Sequence, residues 1–120
     1  MKTSKLLLII LFIGTTSFAQ KQAEAPKLAD PQSFTWVLLP DPQTYQKFGR
    51  NQSLFGVMID WIQEQKNRLN IQMVLCTGDL VEQNNILTPD VTNGDQTSLQ
   101  QWEAVAGAFK KLNGIVPYIL

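Results

Sequence analysis

Two stretches decide the fold: Phe34-Thr35-Trp36-Val37-Leu38-Leu39-Pro40-Asp41 and Ile71-Gln72-Met73-Val74-Leu75-Cys76-Thr77-Gly78-Asp79. Phe34 to Leu39 is a run of β-branched, aromatic and aliphatic side chains closed by Pro40, which suits a strand buried on both faces. Ile71 to Cys76 reads as a second short strand. Between them, Leu54, Val57, Met58, Trp61, Ile62 and Leu69 keep helical spacing, while Asp60, Gln63, Glu64, Lys66 and Arg68 fall largely elsewhere. Ser53 suits the N-cap of that helix and Asn70 its C-terminal stop. Strand, helix and strand make a βαβ unit, and a right-handed crossover makes the strands parallel. Asp41 and Asp79 then lie at the same, C-terminal edge of the sheet.

Working outward, Thr97 to Leu112 is a second amphipathic helix, with Leu99, Trp102, Val105, Ala106 and Phe109 as its inner face. Ser98 and Gln101 suggest a capping box, and Gly114 a C-terminal glycine. The polar stretch Gln83 to Gln96 is long for a compact domain and reads as a lid or the rim of a site. Ile115 to Leu120 reads as a third buried strand, and because buried parallel sheets need cover on both faces, the chain is expected to be part of a larger domain. The expected class is α/β in the order β-α-β-α-β, over residues 34–120. Residues 20–33, with Pro26 and Pro31 and no periodicity, read as a flexible leader.

At the N-terminus, Lys2 and Lys5 precede the apolar run Leu6 to Ile13, and Ser17 and Ala19 fit a cleavage site after Ala19. Residues 1–19 therefore read as a secretory signal peptide and the protein as secreted or periplasmic. Eight apolar residues are far fewer than the roughly 20 needed to span a bilayer, so no stable membrane insertion is expected after cleavage. Cleavage leaves 8 basic and 10 acidic side chains, a net charge of −2, which offers nucleic acid no electrostatic attraction.

The 120 residues include no histidine and one cysteine. That excludes imidazole acid–base chemistry, His-bearing zinc motifs and an internal disulfide within this span. Any metal is expected to bind through oxygen. If the two strands are neighbours, their tips lie about 5 Å apart. Two carboxylates that close repel unless they share a proton or a cation, and neither has a Lys or Arg beside it in sequence, so a metal is the natural partner. Ligands of open α/β sheets bind at this edge. Gln43 offers a neutral carbonyl oxygen, and Glu82 stands behind as a supporting carboxylate. Taken singly, each aspartate also fits an Asx-turn or a cap. Cys76 sits in an apolar run and reads as a core residue, as do Trp61 and Trp102. Asp90, Asn93 and Asp95 lack the alternation and terminal Glu of an EF-hand.

The succession of an apolar strand, Asp41-Pro42-Gln43, a helix with Trp61-Ile62, an apolar strand, Gly78-Asp79-Leu80-Val81-Glu82, Gln101-Trp102 and Ile115-Val116-Pro117-Tyr118 resembles the opening of the calcineurin-like metallophosphoesterases. The likeness runs from about Phe34 to Leu120 and covers only the N-terminal part of such a domain. It implies a β-sandwich flanked by helices, with two divalent metals (Mn, Fe, Zn or Mg) at the strand ends. Asp41 matches a ligand of one metal and Asp79 the carboxylate bridging both. Gln43 stands where Asp-x-His is usual, as in a secreted branch with Asp-x-Gln, and an oxygen donor there favours harder ions such as Mn or Mg. The family's later Gly-Asn-His-Asp/Glu, lone His and Gly-His-x-His blocks are not in this span. The implied activity is hydrolysis of small-molecule phosphate mono- or diesters by a metal-bridging hydroxide. Asp41, Gln43 and Asp79 do not complete two metal positions, so these 120 residues alone are expected to be inactive. A non-catalytic α/β binding module and a pseudoenzyme are the alternatives, and metal titration separates a metal site from a pair of turn caps.

Overall fold

The computed structural model describes residues 24–120. The stretch expected to be a signal peptide, 1–19, and the first residues of the expected leader, 20–23, lie outside the described residues. The elements are β1 (Thr35–Leu39), α1 (Gln43–Gln46), α2 (Gly49–Gln65), β2 (Ile71–Cys76), α3 (Ser98–Lys110) and β3 (Tyr118–Ile119). The three strands form one parallel sheet in the order β1-β2-β3. The chain is therefore mixed α/β, as expected, with one short helix, α1, that periodicity did not reveal. Four residues are too few to show a helical period.

One face of the sheet carries the core. Val37, Leu39, Val74 and Tyr118 pack with Phe55, Ile59 and Ile62 of α2 and Val105 and Phe109 of α3. The Phe109 ring lies between Phe55, edge-on at 5.5 Å between centroids, and Tyr118, stacked at 5.4 Å. A register shift sets Thr35 opposite Ile71 but Trp36 opposite Met73. The extra residue, Gln72, lets both Ile71 and Val74 be buried, which strict alternation would forbid.

The other face differs from expectation. Phe34 to Leu39 is buried on one side only, since Trp36 and Leu38 are 59% and 67% exposed. Both helices joining successive strands pack against each other and the same core. Ile119 is exposed as well, and no described element covers this apolar face.

The helix boundaries also move. α2 starts at Gly49, four residues before Ser53, with Phe48 as N-cap. Its buried line is Phe55, Ile59 and Ile62, at i, i+4 and i+7; Leu54, Val57 and Trp61 form a neighbouring exposed stripe. The helix ends at Gln65 with Lys66 as its C-cap, earlier than the stop expected at Asn70, which lies at φ +46° in the turn beyond. In α3 the capping box is Thr97 with Gln100, one residue before the pair suggested by sequence. Ser98 and Gln101 are buried instead, and Leu99, Trp102 and Ala106 face outward while Val105 and Phe109 face the core as expected. The third strand is only two residues long, and Gly114, at φ +74°, lies in the turn that leads to it.

Candidate metal centre

The loops after β1 and β2 are joined at the C-terminal edge of the sheet. The ladder runs one step past β2, where the Thr77 N–H donates to the Leu39 carbonyl at 3.1 Å. Two residues on, the Asp79 carbonyl accepts from the Gln43 N–H at 3.0 Å. In the opposite direction, the Thr77 hydroxyl donates to Asp41 Oδ1. Asp41 and Asp79 thus belong to two adjoining loops that hold each other, and Gln43 opens α1 at their junction.

Local sequence explains the placement. Pro40 ends the ladder of β1, and the buried Pro42 caps α1, so the chain turns from strand to helix within three residues. After β2, Gly78 takes φ +115°, a conformation that only glycine adopts at little cost. Asp79 follows at φ +40°, where aspartate is among the few tolerant side chains. The strand therefore ends and the chain turns at Gly78, leaving Thr77 at the strand tip and Asp79 on the turn.

Both aspartates are exposed, and among the described residues neither forms an ion pair with Lys or Arg. An ionised carboxylate only accepts hydrogen bonds. Two of them without a cationic side chain, on neighbouring strand ends, fit a hard divalent ion bound through oxygen. No three Asp, Glu or Cys side chains group to hold a metal among the described residues. Neutral oxygens, with Gln43 the nearest in sequence, would complete any shell.

Glu82, expected as a supporting carboxylate, is held by partners of its own. Its Oε2 pairs with Lys47 Nζ at 3.2 Å, with both side chains mostly shielded. Its N–H donates to Oε1 of the fully buried Gln101 at 3.0 Å, and Gln101 Nε2 donates to the Gln96 carbonyl. Glu82 ties the segment after Asp79 to α1 and α3. Lys47 gave no signal in the sequence, because its partner lies 35 positions away. Cys76 is half-buried beside the core, as expected of it, with Sγ 3.9 Å from the Pro40 carbonyl.

Residues 83–96 lack regular structure but are pinned at several points. Ser98 Oγ accepts from the Ile86 N–H at 2.8 Å and donates to the Gln83 carbonyl. The Asp95 and Gln96 N–H groups both donate to the Lys47 carbonyl, and a Cβ on Gly94 would meet that oxygen at 2.5 Å. Asp95 Oδ1 accepts from the Gly49 N–H at 2.7 Å, capping α2 from a distant loop where Phe48 offers no side-chain cap. Asp90 Oδ1 accepts from the Asn93 N–H at 2.8 Å, a contact within its own turn.

No protein-family model, curated protein or solved structure matches this chain. No helix among the described residues is long and apolar enough to cross a membrane.

Proposed function

We propose that the chain carries the first two metal-binding segments of a secreted, metal-dependent phosphoesterase of calcineurin-like type. The observation that carries the reading is the joining of the Asp41 and Asp79 loops, two exposed and unpaired carboxylates on neighbouring parallel strand ends. Asp41 and Asp79 would hold the metal, with the Gln43 side-chain oxygen as a neutral donor. A bound pair of Mn, Fe, Zn or Mg ions supplies charge for the phosphoryl oxygens and a water of lowered pKa. The chain's own part is to present acceptor oxygens at an open edge that a small phosphate ester can reach. Nothing in residues 24–120 suits a general acid, so a leaving-group proton would come from water or from outside this span. The uncovered apolar face of the sheet supports the same reading, since a sandwich places a second layer there.

Isothermal titration of the full chain with manganese(II) tests the proposal. Wild type is expected to bind and Asp79→Asn to lose binding with its thermal unfolding little changed. Equal binding by both proteins, or none by either, contradicts the assignment. Under the same reading the 120-residue chain, saturated with manganese, is expected to show no turnover of p-nitrophenyl phosphate or its bis ester.

A further inference from the structure

We infer that Thr77 is a positioning residue for the metal site, its hydroxyl fixing the Asp41 carboxylate through Oδ1; this rests on the metal-site reading above. Three observations lead to it. The Thr77 N–H bond to the Leu39 carbonyl carries the β1–β2 ladder one step beyond β2, so the Thr77 backbone is held as firmly as a strand residue. The positive φ of Gly78 turns the chain away immediately afterwards, which leaves the Thr77 side chain free at the tip. From there the hydroxyl reaches two acceptors, Asp41 Oδ1 and, at 3.4 Å, the Leu39 carbonyl.

A hydroxyl has one proton to give. The carboxylate is the stronger acceptor, because a charged acceptor roughly doubles the strength of the bond. Asp41 is exposed, so without Thr77 its side chain would be free to rotate, and a cation would have to immobilise it on binding. With one oxygen held by the hydroxyl, that ordering is already done. Hydrogen bonds to ligating carboxylates commonly affect metal affinity by about 10- to 100-fold. Thr77 reaches across from the second strand to orient the ligand of the first, while Gln43 N–H reaches back to the Asp79 carbonyl. Each loop therefore depends on the other for its geometry.

The test compares manganese(II) affinity of the full-length wild type, Thr77→Val, Thr77→Ser and Asp41→Asn, with thermal unfolding of each in metal-free buffer. Valine keeps the branched shape and removes the hydroxyl, and the exposed position accepts it. Thr77→Val is expected to bind about 10-fold more weakly. Thr77→Ser is expected to stay within about twofold of wild type, with no more than a small change in unfolding temperature for either. If wild type binds and Asp41→Asn does not, yet Thr77→Val binds as tightly as wild type, the role of Thr77 is overturned and the metal site stands. Equal weakening in the serine and valine variants also overturns it, because the hydroxyl would then be irrelevant. Absence of manganese binding in wild type removes the metal site and the role of Thr77 together.

Discussion

Asp79 sits at φ +40°, which makes the choice of substitution at this position decisive. Asparagine tolerates left-handed backbone as aspartate does, so Asp79→Asn removes charge without adding strain, whereas alanine would confuse the two. Gly78→Ala has open space around it but an unfavourable φ of +115°. It is expected to lower the unfolding temperature and weaken manganese binding together, because the turn presenting Asp79 is disturbed. Asp95 gives a pH prediction. Its hydrogen bond from the Gly49 N–H, helped by the Gln96 amide and the Arg50 charge, holds its carboxyl below the ordinary aspartate value of 3.8. A lowered folded-state pKa means stability that is complete above the unfolded value and lost as pH falls through the folded one. Thermal melts from about pH 5 to about pH 2 should therefore show a shallower acid loss in Asp95→Asn than in wild type. An identical slope would show that the cap contributes nothing. The placement of Asp41 and Asp79 at strand ends was legible in the sequence because each closely follows an apolar run, and Gln43 was found only through its spacing from Asp41. Thr77, Lys47 and the cap from Asp95 were not legible, since their partners lie 36, 35 and 46 positions away.

The helices show what periodicity settles and what it leaves open. α2 carries two adjoining apolar stripes, and spacing alone favoured Leu54, Val57 and Trp61, whereas the core takes Phe55 and Ile59. The choice is made by where the strands bring the sheet, and helix periodicity holds no information about that. The two stripes are separable by denaturant unfolding. Phe55→Ala is expected to cost about 3–5 kcal/mol, as large cavities at buried aromatics do. Val57→Ala, at an exposed position, is expected to cost under about 0.5 kcal/mol. The capping box of α3 was misplaced by one residue for a related reason. Ser98 and Gln101 fit the pattern as well as Thr97 and Gln100 do, but their side chains are engaged with Glu82, Ile86 and Gln96 of the preceding segment. Gln101→Leu leaves the Glu82 N–H and the Gln96 carbonyl without those partners, and a loss of about 1–3 kcal/mol is expected in the same unfolding assay. A neutral result would mean that water replaces the amide at both groups.

At the scale of the whole molecule, the parallel direction of the first two strands was legible, whereas their adjacency and the sheet order β1-β2-β3 came from the structure. Apolar runs separated by a helix and ended by Asp41 and Asp79 are enough to specify parallel strands with both aspartates at one edge. Burial was only half legible. Trp36 and Leu38 belong to a strand apolar on both sides, but the described helices cover one side, and a run of apolar residues records only that both sides suit a dry environment. The joined loops at the strand tips are where the fold and the proposed chemistry meet. The most direct test is backbone-amide NMR of the full chain with substoichiometric manganese(II), whose unpaired electrons broaden nearby resonances. The account predicts broadening centred on residues 41–43 and 77–79 in wild type, absent from those positions in Asp79→Asn. Broadening centred on the 90–95 turn instead, or spread evenly over exposed carboxylates, would contradict it.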